Sequence, residues 1–173
     1  MISLWRHRIK PKVIIFDVDG VLTDRRFIYG ARGKVYKLFG ADDHDALKVL
    51  SKYLEVIVIS ADRQGFSISK RRVTKDFGFR VFLVSGESRV KWISDRYNMK
   101  EVIYMGDGFY DYRVFEMVGY AIAPGNALKH TRDSADYVTE STGGMGAVAE
   151  ACLHILDKFF KVKFSNLADP NGA

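Results

Sequence analysis

Val13-Ile-Ile-Phe-Asp17-Val-Asp19-Gly-Val-Leu-Thr23-Asp24 is the stretch on which the fold turns. Its first four residues are apolar and mostly β-branched, as in a short strand buried on both faces. They run straight into two aspartates two positions apart and an Asp-Gly turn. The rhythm recurs along the chain. Val56–Ile59, Arg80–Val84, Val102–Met105 and Tyr120–Ala123 read as further buried strands. Helical patterns lie between and after them, at Asp43–Tyr53, Gly65–Phe77, Ser88–Tyr97, Tyr110–Val118 and Met145–Phe160. Such alternation predicts an α/β fold, a Rossmann-like parallel sheet flanked by helices. One segment departs from it. Within Arg25–Phe39, two alternating stretches, Phe27–Tyr29 and Val35–Leu38, flank a turn holding Gly30 and Gly33. This predicts a β-hairpin flap over about 25–39 and leaves no room for a large cap domain.

The 173 residues are 47% hydrophobic, enough for one compact domain, expected over 1–163. The polar end, 164–173, is expected to be a flexible tail. With 28% charged and 13% aromatic residues, wholesale disorder is excluded. Lys plus Arg exceed Asp plus Glu by 27 − 21 = 6. That surplus alone does not choose among nucleic acid, an anionic surface and a phosphorylated small molecule. The run Lys70-Arg71-Arg72 reads as a solvated helix face, so no nucleic-acid partner is expected. The single Cys152 excludes an internal disulfide and fits a reducing compartment. No apolar run reaches the roughly 18–20 residues of a membrane helix, and the basic N-terminus lacks a signal-like core. A cytoplasmic protein with no membrane partner is expected.

In a doubly wound sheet, ligands bind beyond the carboxyl ends of the strands. The polar residues that follow each strand therefore form one group. These are Asp17, Asp19, Thr23 and Asp24; then Ser60 and Asp62; then Ser85 to Lys91; then Asp107 and Asp111. Asp17 and Asp107 in one crevice repel unless a cation lies between them, and hard oxygen donors favour Mg2+. A carboxylate so placed can attack phosphorus. Asp19 can protonate the leaving oxygen and then activate water. A hydroxyl and a cation, Ser60 and Lys91, suit the transferring oxygens.

This set resembles the four motifs of the haloacid dehalogenase superfamily of phosphotransferases. Asp17-Val-Asp-Gly-Val-Leu-Thr-Asp24 is similar to the first motif, Ser60 to the second and Lys91 to the third. Gly106-Asp107 with Asp111 is similar to the fourth. The hairpin and the segment Ala135-Asp-Tyr-Val-Thr139 to Cys152 narrow the resemblance to the capless 3-deoxy-D-manno-octulosonate 8-phosphate phosphatase branch. The resemblance implies an Mg2+-dependent phosphatase working through an aspartyl-phosphate. In it Asp17 is the nucleophile and Asp19 the acid and base. Ser60 and Lys91 bind phosphate; Asp17, Asp19 (through its carbonyl) and Asp107 hold the metal; Asp111 supports. Arg89 is the rival to Lys91, because the lysine stands one residue later than in close relatives. The resemblance also implies a homotetramer in which a neighbouring subunit closes each site, and a sugar phosphate on the path to surface polysaccharide.

Two departures bear on the substrate. Gly40-Ala-Asp42-Asp43-His44-Asp45 stands where the branch carries an arginine-bearing stretch, and Met145 stands where it carries another arginine. Two lost cations and three added acids disfavour a carboxylated substrate. Asp42, Asp43, His44 and Asp45 are therefore candidate substrate contacts, and a sugar, polyol or amino-alcohol phosphate is expected. The alternatives are the branch's own octulosonate ester, a macromolecular phosphate, and a binding protein that kept the fold without the chemistry.

Overall fold

The computed structural model describes residues 9–163 and Ser165. Most of the expected tail lies outside these. Six parallel strands form the sheet: β1 (Val13–Asp17), β4 (Glu55–Ser60), β5 (Arg80–Leu83), β6 (Val102–Met105), β7 (Tyr120–Ala123) and β8 (Tyr137–Val138). Their spatial order is β5-β4-β1-β6-β7-β8, so β1 is central and every residue of it is buried. Its side chains alternate between two cores. Ile14 and Phe16 pack with Leu47 and Leu50 of α1 (Asp43–Leu50) and with Val148, Ala151 and Ile155 of α6 (Ala147–Ile155). Val13 and Ile15 face the other side, with Ile93 of α3 (Arg89–Ser94) and Val114 and Phe115 of α4 (Asp111–Phe115). Burial on both faces is why these strands read as unbroken apolar runs. α2 (Phe66–Lys70) continues as a wider turn over Arg71–Asp76, and α5 (Lys129–Asp133) precedes β8. No helix among the described residues is long and apolar enough to cross a membrane.

The flap is the antiparallel pair β2 (Thr23–Gly30) and β3 (Gly33–Phe39). It leaves β1 through the wide turn Val18–Leu22, in which Gly20 has φ 96°. A Cβ at Gly20 would lie 2.1 Å from Asp107 Oδ2, so no side chain fits there. That turn is braced from behind. Asn126 donates to the Gly20 carbonyl and accepts from the Gly143 amide, and the Gly144 amide donates to the Val21 carbonyl. Gly143 and Gly144 thus shape the first motif of their own chain. The expected elements all form; β8 and α5 are additions.

One buried acid has a consequence for stability. Asp43, at the start of α1, is 1% exposed, and its carboxyl is pushed up to about 6, chiefly by burial. A folded-state value above the unfolded one means the native protein holds the extra proton between pH 4 and pH 6. Stability therefore falls as pH rises through that window, by roughly 1.4 kcal/mol per unit of difference. Asp43→Asn should remove this loss: equal to wild type at pH 4, about 2–3 kcal/mol more stable at pH 8 by urea unfolding. A wild-type stability that rises from pH 4 to pH 7, unchanged in shape by the substitution, contradicts it.

Candidate active site

The carboxyl ends of β1, β4 and β6 and the flap enclose a cavity of about 470 Å3. Asp17 closes β1 and lies at its floor, 5% exposed. Its Oδ1 accepts from the Val18 amide at 2.9 Å and from Arg89 Nη2 at 2.9 Å; its Oδ2 accepts from Arg89 Nη1 at 3.0 Å. Arg89 therefore grips both oxygens, in the forked geometry that only a guanidinium provides. Arg89 is itself fixed by Asp111 Oδ1 and by the Tyr104 hydroxyl, which Nη1 meets at 2.7 Å. Tyr104 in turn donates to Asp111 Oδ1 at 2.8 Å, and the Gly108 amide donates to Asp111 Oδ2 at 2.8 Å.

Asp107 follows β6. Oxygens of Asp17, Asp107 and Asp111 lie within 4.8 Å of one another, and all three residues are buried. Burial, with the mutual repulsion of the acids added, pushes Asp17 up to about 7 and Asp107 up to about 8. Asp107 Oδ2 takes no hydrogen bond, although Arg25 Nε lies 3.1 Å away. Three buried carboxylates with an unsatisfied oxygen are a donor set that fits a hard divalent cation.

Asp19 stands apart from that triad. Its Oδ2 accepts from Ser60 Oγ at 3.1 Å, and its Oδ1 pairs with Lys37 Nζ at 2.7 Å. Ser60 is fully buried, and its Oγ also accepts from the Asp62 amide. Asp62 pairs with both Lys34 and Lys37. Partial burial raises the Asp62 carboxyl, but the two lysine hydrogen bonds outweigh it and hold the group at about 2. Arg25, Phe27 and Lys34 of the flap and Phe109 and Tyr110 after β6 complete the wall.

Asp17, Asp19, Asp107 and Asp111 line one cavity, whereas Ser60, expected to bind phosphate, lies fully buried behind it and donates to Asp19 instead; further expectations need correction. Lys91 is not at the site. Its side chain is 81% exposed and pairs with Asp95 one turn on, while Arg89 of the same helix points to Asp17. The helical period decides this. Arg89 and Ile93 share the buried face, and Lys91 shares the outer face with Asp95. Asp111, expected as a supporting residue, joins Asp17 and Asp107 as the third carboxylate of the group. Thr23 shapes the turn, accepting from the Gly20 amide and donating to the Val18 carbonyl, and Asp24 pairs with Arg26. Asp42, Asp43, His44 and Asp45 do not line the cavity. Asp43 is buried under α1, His44 stacks on Phe77 and Asp45 faces solvent. Met145 is 72% exposed, and Arg71 and Arg72 pair with Asp76 away from the cavity. Nothing in the sequence marks Arg25, Lys34, Lys37 or Tyr104 as site residues.

The chain is similar to known proteins over most of its length. A family model described as haloacid dehalogenase-like hydrolase matches residues 87–152. The 3-deoxy-D-manno-octulosonate 8-phosphate phosphatase of Salmonella typhi is 33% identical over 148 residues, 82% of this chain and 77% of that protein. The cobalt-bound phosphatase of the same kind from Haemophilus influenzae superposes with TM-score 0.79 at 30% identity, over 92% of this chain and 94% of that one. The Moraxella catarrhalis enzyme, in complex with magnesium, phosphate and KDO, gives TM-score 0.78 at 26% identity, over 91% and 94%. With the strand order, the acids at the strand ends and these likenesses together, the chain belongs to the haloacid dehalogenase-like hydrolases, as a phosphatase of the branch that includes the 3-deoxy-D-manno-octulosonate 8-phosphate phosphatases.

Proposed function

We propose that the chain hydrolyses a small sugar or polyol phosphomonoester through an aspartyl-phosphate on Asp17, with Mg2+ as its metal. The observation that carries this is Asp17 itself. It lies at the end of the central strand, gripped by Arg89 and facing Asp107 and Asp111 across less than 4.8 Å. The metal would be held by Asp17, Asp107 and Asp111, with the Asp19 carbonyl a further donor, and would offset the charge of the phosphate and of the buried acids. Asp17 attacks phosphorus, and Arg89 stays beside the oxygens that gather charge. Asp19 gives its proton to the departing alkoxide. It then takes a proton from the water that cleaves the aspartyl-phosphate, restoring Asp17 and releasing phosphate. Ser60 holds the Asp19 carboxyl and reaches the reaction through it.

The rings of Phe27, Phe109 and Tyr110 offer apolar faces to a sugar's C–H edges. An amino-alcohol phosphate is not favoured, because the acids at 42, 43 and 45 lie away from the cavity. Six large apolar side chains of the flap, Phe27, Ile28, Tyr29, Val35, Tyr36 and Leu38, are exposed. They support assembly into the homotetramer that the resemblance implies.

EDTA should abolish phosphate release and Mg2+ restore it. Mg2+ at 100 times its Kd should also stabilise the fold by about 2.7 kcal/mol, read as a rise in melting temperature. Undiminished turnover after chelation removes the metal from the reading.

A further inference from the structure

The flap is inverted for a hairpin lying on a protein body. In β3 Val35, Tyr36 and Leu38 are exposed, and the one buried residue of its seven is Lys37. Its side chain is 0% exposed. The ammonium donates to Ser69 Oγ at 2.9 Å and forms ion pairs with Asp19 Oδ1 at 2.7 Å and Asp62 Oδ2 at 2.8 Å. These come from the turn after β1, the loop after β4 and α2. The bay is built closely around the lysine. A Cβ at Gly65 would lie 2.2 Å from Asp62 Oδ2 and 2.7 Å from Lys37 Cε. Asp62 is anchored in turn by the Gly65 amide at 3.0 Å and by Lys34, whose ammonium lies 3.4 Å from the Phe27 ring centre.

A lysine so buried, outside the cavity lining and paired with two carboxylates, does not meet substrate. It can act on the reaction only through what it holds. The Asp19 carboxyl has two fixings: Ser60 on one oxygen and Lys37 on the other. Ser60 belongs to the sheet, whereas Lys37 arrives on the flap. From this geometry we propose that Lys37 is a positioning residue, through which the docked flap aims the Asp19 carboxyl, and that Asp62 serves to hold Lys37. The proposal rests on Asp19 being the acid and base of the reaction. The chemical step itself is unchanged: the proton passes from Asp19 to the leaving oxygen, and Lys37 keeps its own.

The test separates aiming from folding by the leaving group. p-Nitrophenolate departs with little need of a proton, whereas the alkoxide of glycerol 3-phosphate needs one. In Lys37→Met, kcat/KM for glycerol 3-phosphate should fall about 100-fold, the scale of general acid catalysis, and that for p-nitrophenyl phosphate less than about 5-fold. Slow water activation should also produce a burst of roughly one p-nitrophenol per site before a slower steady state. In an Asp19→Asn background, Lys37→Met should cost nothing further, because the group it aims is gone. Lys37→Gln, which keeps a donor and loses the charge, should show the same split more weakly and covers the case in which the methionine variant does not fold. Equal losses on both esters, or losses that add to those of Asp19→Asn, overturn the positioning role and leave the phosphatase reading standing. If glycerol 3-phosphate is not turned over, the best sugar or polyol ester takes its place, and a wild-type protein that turns over none of them with Mg2+ overturns both.

Discussion

Asp17→Asn should lower phosphomonoester turnover by roughly four orders of magnitude or more, the scale seen when a covalent nucleophile is removed. An amide oxygen is a poor nucleophile toward phosphorus and carries no charge for the metal. The substitution also cuts the forked pair with Arg89, a buried contact whose loss leaves the guanidinium partly unmatched. The fold should survive this, because Arg89 keeps Asp111 and Tyr104. Circular dichroism and an unfolding curve check that, and a radiolabelled phosphate trapped by acid quench on wild type but not on the variant checks the covalent step. Turnover near wild type, or label retained on the variant, removes Asp17 as the nucleophile.

The second large effect separates two residues two positions apart. Arg89→Ala should lower kcat/KM by roughly 1,000-fold, as a cation lost from a transferring phosphoryl group does. Lys91→Ala should stay within about 2-fold of wild type, since an exposed i,i+4 pair with Asp95 contributes only a few tenths of a kcal/mol. Arg89→Lys should fall between, because an ammonium cannot bridge both Asp17 oxygens as the guanidinium does. If instead Lys91→Ala is the crippling change, α3 is rotated from the phase described above.

That pair also shows where the sequence was legible and where it was not. Strands such as Val102–Met105 are buried on both faces, so burial is written as an unbroken apolar run. The acids are legible because the sheet places whatever follows each strand along one edge, as Asp17 and Asp107 are placed. Asp111 was legible as a site residue, but its grip on the cation next to Asp17 depends on three dimensions. An apolar pair, Trp92-Ile93, follows Lys91, as the resemblance implies for the phosphate-binding lysine. The helical period carries the opposite answer, since Ile93 lies four residues from Arg89 and Asp95 four from Lys91. For Asp42, Asp43 and Asp45, counting charges said nothing of position, and α1 carries them away from the cavity. Lys37 was hidden for another reason. In Val35-Tyr-Lys-Leu-Phe39 apolar side chains imply an inward face, but the flap turns Tyr36 and Leu38 outward and the lysine in. β8 has two residues, too few for any periodic pattern.

Phosphate release across a panel of phosphomonoesters, with Mg2+ and then with EDTA, tests whether the chain is a metal-dependent phosphatase of small esters. The panel should hold 3-deoxy-D-manno-octulosonate 8-phosphate, neutral sugar and polyol phosphates, and ethanolamine phosphate. Metal-dependent release is expected from at least one small sugar or polyol ester, lost on chelation and absent in Asp17→Asn. Silence on every ester with metal bound, or release that persists in EDTA, would contradict it.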